Sequence, residues 1–259
     1  LNIGLDSILF LDDNPFERAA VRAMSPEVIV PELPEDPADY VKALVELNLF
    51  ETTAFSAEDA VRSTLYRQEA QRRLAETTAT SFEDYLQSLD MTIEVSRFAP
   101  EQLNRITQLL QRSNQFNLTT QRHNQAQCEA MMQDVEGCWP LTATLRDRFG
   151  DHGLISVVVA RPDRGAGVVV ISDWLMSCRV LTRGVEEYLM NDVVERARGL
   201  GLGTVTASYV PTAKNAMVKD FYARFDFQKT AEHADGRAEW TLQVDDYKPR
   251  PVFIRPGER

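Results

Sequence analysis

A cysteine followed closely by two arginines and a helix start is the most reactive arrangement in this sequence. Cys178 lies in Ser172-Asp173-Trp174-Leu175-Met176-Ser177-Cys178-Arg179-Val180, after an apolar strand pattern and before a helix that begins near Gly184. A thiol attacks as its thiolate, and cations and helix N-termini favour that form. Arg179 and Arg183 supply the cations, although the same run also suits an inert cysteine packed beside Trp174 and Met176. A thiol nucleophile wants a base or a proton donor. Asp151 and His152, in Gly150-Asp151-His152-Gly153, are the candidates; a solvated hairpin tip is the plainer reading. Asn117, Thr119 and Arg122 follow a helical stretch, where a loop can present them to a pocket or where they close a helix end and a turn. Asp12 and Asp13 end an apolar run. Adjacent carboxylates are costly to hold together unless a cation neutralises them, and Mg²⁺ with a phosphate substrate meets that demand. A helix cap with a solvated acid is the alternative. Cys128 and Cys138 read as structural, and His123 and His233 have no constellation legible in the sequence.

The elements that must position these groups follow from periodicity. Ser7 to Leu11 is a continuous apolar run, as in a strand buried on both faces of a parallel sheet. Phe16 to Met24 reads as a helix capped by Asn14 with Pro15 in its first turn. Val28 to Val30 is a short strand, and Asp39 to Leu47 is helical. Ser56 opens a capping box with Asp59, and Tyr66, Ala70 and Leu74 recur at helical spacing. Ser81 starts another helix. Strands are expected over Thr92–Phe98, Leu141–Arg148, Leu154–Arg161, Gly167–Trp174, Thr204–Tyr209 and Arg237–Val244, with a turn at Gly150–Gly153. Helices are expected over Pro100–Ser113, Gln125–Asp134, Val185–Gly199 and Asn215–Ala223. The divisions that result are residues 1–55, a helical connector 56–90, and a second domain 91–259.

The chain has 259 residues, 44% of them hydrophobic and 26% charged, with a net charge of -11. That charge disfavours nonspecific nucleic-acid binding and anionic membrane surfaces. No run approaches the roughly 18 apolar residues of a transmembrane helix. Three cysteines make no even framework and no metal spacing, which points to a reducing compartment, the cytoplasm. The absence of an initiator Met and of a leader pattern suggests a piece of a longer protein.

The run Phe10-Leu11-Asp12-Asp13-Asn14-Pro15-Phe16-Glu17-Arg18 resembles the fourth motif of the haloacid-dehalogenase superfamily and, more narrowly, the phosphatase-like half of the FkbH-like family of polyketide extender-unit biosynthesis. Phe116-Asn117-Leu118-Thr119-Thr120-Gln121-Arg122, Phe149 to Ile155 and Asp173 to Leu181 are similar to runs in that family's second half. Arg183-Gly184-Val185-Glu186, the order of elements from Thr92 to Val244, and Phe221-Tyr222 with Phe225-Asp226-Phe227 resemble the Gcn5-related acyltransferase fold. The fold class implied is mixed α/β: the C-terminal part of a haloacid-dehalogenase-like Rossmannoid domain, then a Gcn5-related acyltransferase-like α+β domain.

The resemblance implies a glyceryl transferase. A phosphoglycerate-derived glyceryl group would reach Cys178 as a thioester and pass to the phosphopantetheine thiol of an acyl carrier protein. Asn117, Thr119, Arg122, Asp173, Arg179, Arg183 and Gly184 would bind substrate. Asp12 and Asp13 would hold Mg²⁺ only with the earlier motifs of the phosphatase-like domain, so phosphatase activity is not expected of this chain. The acyltransferase loop normally carries more glycine than Arg183–Glu186, a departure that weakens the case for coenzyme A; a carrier protein's phosphopantetheine arm could use the same groove without a diphosphate cradle. A coenzyme A-dependent N- or O-acyltransferase and a non-catalytic docking module are the competing readings. An acidic carrier protein requires a local basic face, which Arg179, Arg183, Arg196, Arg198, Lys214 and Lys219 could form.

Overall fold

Alternating apolar and polar residues from Met91 to Met176 pair as four antiparallel strands, β1 (Met91–Arg97), β2 (Trp139–Asp147), β3 (Gly150–Asp163) and β4 (Val168–Met176). The structure, a computed structural model, describes residues 5, 8–49, 57–113 and 115–257, with only the backbone of residues 57–66 and 112. Two compact units divide the chain, Leu1–Ser63 and Thr64–Arg259.

In the first unit, α1 (Pro15–Met24) begins where Asn14 Oδ1 accepts the Phe16 N–H at 3.0 Å. A 3-10 turn, Pro37–Asp39, leads into α2 (Tyr40–Glu46). The run ending at Leu11 is not a strand buried on both faces. Its pairing is one parallel bridge, Leu9 with Ile29, and Leu11 is 42% exposed. The two segments are the only ones that pair in this unit among the described residues, so no sheet covers either face. α3 (Ala57–Thr78) contains the division between the units. The expected Ser56 cap and the Tyr66 side chain lie outside the described residues.

The second unit is built on one mixed sheet in the order β6-β7-β5-β4-β3-β2-β1-β8. β5 (Thr204–Tyr209) joins β4 in parallel, β7 (Ala238–Gln243) joins β5 antiparallel, and β6 (Gln228–Glu232) and β8 (Ile254–Pro256) form the edges. α4 (Phe82–Ser88) starts at Ser81, whose Oγ accepts the Asp84 N–H at 3.0 Å. α5 (Leu103–Arg112) and α6 (Gln125–Gln133) share one core cluster with Val157, Val159 and Leu175. α7 (Val185–Gly199) shares the other with Val158, Ala160 and Ile171. Successive strand residues point to opposite faces, so β3 feeds both clusters, and its buried stretch Leu154–Ala160 is apolar except for Ser156.

Two local expectations fail for clear reasons. Asn215–Ala223 is not an α-helix but two 3-10 turns, Ala216–Val218 and Tyr222–Phe225. Val218, Phe221, Tyr222 and Phe225 are all buried; their spacing of three, four and seven residues is the apolar signal that suggests an α-helix, and two short turns bury the same set. Gly150–Gly153 is not a hairpin tip but the start of β3. The turn is Arg148–Phe149, held by the Asp147 carboxylate, which accepts the N–H groups of Phe149 and Gly150 at 2.9 and 3.0 Å.

Candidate functional site

β4 ends at Met176, and Ser177 leads into a short 3-10 turn, Cys178–Val180. Val180 is buried in the core, which leaves Cys178 exposed at the surface. Its side chain lines a cavity of about 820 Å³, walled by Arg105, Gln108 and Leu109 of α5 and by Phe116, Met176 and Lys214. Arg179 lines it too, and among the described residues no acidic one does. Among the described residues, Arg105, Arg179 and Lys214 have no carboxylate within 4.0 Å. Arg105 donates to Gln108 Oε1 and Arg179 to Ser177 Oγ, both at 3.3 Å. Three unneutralised cations stand out in a chain with 39 acidic and 28 basic residues; they favour an anionic ligand. Arg105 was not legible as a site residue, because it lies 73 positions from Cys178 in sequence and reads as an ordinary helix-surface base.

Asp151 and His152 do not line this cavity. The His152 side chain turns inward, with Nε2 at 2.8 Å from Asp147 Oδ2. Arg72 of α3 donates to both oxygens of Asp147, at 2.7 and 3.0 Å, and Arg183 Nη1 lies 3.7 Å away. Burial by itself would raise the Asp147 carboxyl. The hydrogen bonds from His152 and Arg72 outweigh it and hold Asp147 far below the usual carboxylate range. Arg183 is thus committed to a buried ionic cluster rather than to the thiol. Asp151 is exposed, accepts from Arg146 Nε at 3.0 Å, and lines a separate cavity of about 710 Å³ beside β1, β2 and β8. Gly184 caps α7 at φ +88°. Glu186, in the first turn, accepts the Thr182 N–H at 3.1 Å. It is buried with its second oxygen unpartnered among the described residues, and burial pushes its carboxyl up.

Of the Asn117 run, Phe116 alone lines the Cys178 cavity. Asn117 is buried; its Oδ1 accepts the Thr120 N–H at 2.8 Å and its Nδ2 donates to Ser113 O at 3.3 Å. Arg122 donates to the carbonyls of Leu110 and Ser113 at 2.6 and 3.1 Å. Thr119 lies apart, in a cavity of about 270 Å³ with Ser172, Ser208 and His233. Its buried hydroxyl has no partner among the described residues.

His123, which had no legible partner, lies 2.9 Å from Asp173 Oδ1, and Ser172 Oγ donates to the other Asp173 oxygen at 2.9 Å. Asp173 is buried and fully engaged there, so it does not face Cys178's cavity lining. Fifty positions separate the pair, beyond any local periodicity. Cys128 and Cys138 are buried among α5 and α6, and burial raises both thiols. Of the expected basic face, Arg179 and Lys214 meet at the cavity, while Arg196 and Arg198 pair with Asp192 and Glu195.

The oxygens of Asp12 and Asp13 are of the hard type that suits Mg²⁺. Asp12 Oδ1 already accepts the Asn14 N–H at 2.8 Å, and the Arg18 guanidinium binds the carbonyls of both residues at 2.8 and 3.0 Å. Among the described residues no group of three or more His, Cys, Asp or Glu could hold a metal. The pair alone does not make a magnesium site, and no step is routed through one.

No family model matches the chain, and no curated protein matches it. Among solved structures, the ribosomal-protein-S18-alanine N-acetyltransferase of Escherichia coli is 12% identical over 59% of this chain and 94% of its own, with a TM-score of 0.44. An N-acetyltransferase from Staphylococcus aureus is 13% identical over 59% and 99%, also at 0.44. The N-terminal part of BF1531 from Bacteroides fragilis, which contains a phosphatase domain complexed with Mg, is 67% identical, but over 21% of this chain and 14% of that one, at 0.20. Overlaps this loose carry no function with them.

Proposed function

We propose that this chain is an acyltransferase that works through the thiol of Cys178. The observation that supports the reading is the exposed thiol in an acid-free cavity ringed by Arg105, Arg179 and Lys214. The finer reading follows the sequence resemblance. A glyceryl group from an activated phosphoglycerate passes to Cys178 and then to the phosphopantetheine thiol of an acyl carrier protein.

In the first step the Sγ thiolate bonds to the acyl carbon and the bond to the acyl-phosphate oxygen breaks, phosphate departing with the electron pair; the ester phosphate of the glyceryl group is hydrolysed to inorganic phosphate in a separate phosphatase step that this chain is not expected to carry out. In the second step the carrier thiol, its proton lost to solvent, attacks the same carbon and releases Cys178 as thiolate. Exchange between thioesters is close to thermoneutral, so positioning and charge complementarity carry the catalysis. Leu109, Phe116 and Met176 give the arm an apolar surface, and the cations attract phosphate. The test is intact-protein mass spectrometry after incubation with glyceryl-loaded carrier protein. The expected adduct disappears in Cys178→Ala; an adduct that survives the substitution contradicts the proposal.

A further inference from the structure

Strands β4 and β5 pair only over Val168–Ile171 with Thr204–Ala207 and then separate. A strand edge opened in this way is a pairing site for any extended chain that carries amides. Here the chain fills the gap itself. Leu118 N donates to Trp174 O at 3.0 Å, Met176 N to Phe116 O at 3.1 Å, and Val210 N to Leu118 O at 2.8 Å. Phe116–Leu118 therefore serves as an internal strand between β4 and the end of β5, with Asn117 bridging Leu175 antiparallel.

One side chain latches this insertion. Asn215 is fully buried, and its amide uses all four of its hydrogen-bonding positions. Nδ2 donates to the carbonyls of Asn117 and Val210, both at 2.9 Å. Oδ1 accepts from Thr212 N at 2.7 Å and from the Tyr209 hydroxyl at 3.2 Å. The amide thus ties Phe116–Leu118, of which Phe116 lines the cavity, to the 209–215 loop that carries Ala213 and Lys214 on the cavity wall.

We infer that Asn215 is a positioning and specificity residue for the Cys178 cavity. It locks Phe116–Leu118 into the gap, so an amide-bearing thiol arm cannot pair with β4 and reaches Cys178 only across the mouth formed by Arg105, Arg179 and Lys214. This rests on the reading of Cys178 as the reactive thiol.

The test compares alkylation of Cys178 in the folded chain by anionic iodoacetate and neutral iodoacetamide, followed by intact mass. The ratio of the two rates, set against that of a small free thiol, reads the positive charge at Sγ. Lys214→Ala should lower the ratio about threefold, and the difference should shrink at high salt. Asn215→Ala should lower it by a similar factor while a cooperative thermal transition remains, because the loop bearing Lys214 loses its tie. If that variant does not fold, Tyr209→Phe, which removes one bond to Oδ1, should show a smaller drop in the same direction. A folded variant with a lower melting temperature and an unchanged ratio overturns the inference and makes Asn215 merely structural. Charge-selective alkylation with no acyl adduct would instead sink the acyl-transfer reading and leave the latch standing.

Discussion

Two groups of basic side chains, each with two arginines, have opposite surroundings. Arg72 and Arg183 converge with His152 on the buried Asp147, and Glu69 Oε2 lies 3.6 and 4.0 Å from the two arginines, so two carboxylates face two guanidinium groups. Arg105, Arg179 and Lys214 surround an exposed thiol and meet no carboxylate among the described residues. Partner and burial divide the paired cations from the open ones. The first group joins α3 to the β2–β3 hairpin; the second is, on the proposed function, where an anionic ligand would sit.

The largest effect should follow from breaking the neutral group. Asp147→Ala removes the closer carboxylate of Arg72, a residue 4% exposed, and leaves Glu69 Oε2 at 3.6 Å as its remaining ionic partner; it should cost about 3 kcal/mol, the low end for breaking a buried pair. Urea unfolding would measure it; a loss below about 1 kcal/mol would make the cluster ornamental. The pH dependence carries the same sign. The Asp147 carboxyl is depressed in the folded state, so its contribution is complete above the ordinary value of 3.8 and is lost as pH falls from there toward the folded value. Wild type should therefore lose stability below about pH 4 more steeply than Asp147→Asn.

Substitutions in the open group should spare the fold. Arg105→Ala and Lys214→Ala should each change stability by less than about 0.5 kcal/mol and weaken binding of inorganic phosphate by about threefold, less at high salt. Titration calorimetry would check both, and phosphate affinity independent of these residues would break the comparison. The smallest effect is expected at Glu186. Burial raises its carboxyl in the folded state, so the unfolded chain ionises first and stability falls as pH rises through the folded value. Glu186→Gln keeps an acceptor for the Thr182 N–H and should raise the melting temperature slightly at pH 7 and not at pH 4.

The regular elements were legible where periodicity was strong. α1, α7 and β5 follow their apolar patterns, and the Asn14 and Ser81 caps read directly. β6, at the sheet edge with Gln228-Lys229-Thr230-Ala231-Glu232, has no apolar pattern to betray it. The hairpin turn was displaced because Asp147, not the glycines, closes it. Within the site, Cys178 was legible from local sequence. Arg105, the His123–Asp173 pair and the Asn215 latch were not, since each is assembled by sheet topology from residues far apart in the chain.

On the proposed function the Cys178 thiol receives the acyl group. Peptide mapping by mass spectrometry after brief incubation with glyceryl-loaded carrier protein reads this at the residue. One glyceryl mass increment is expected on the peptide containing Cys178, removable by added thiol. An increment on the peptides of Cys128 or Cys138, or on none while transfer proceeds, would contradict it.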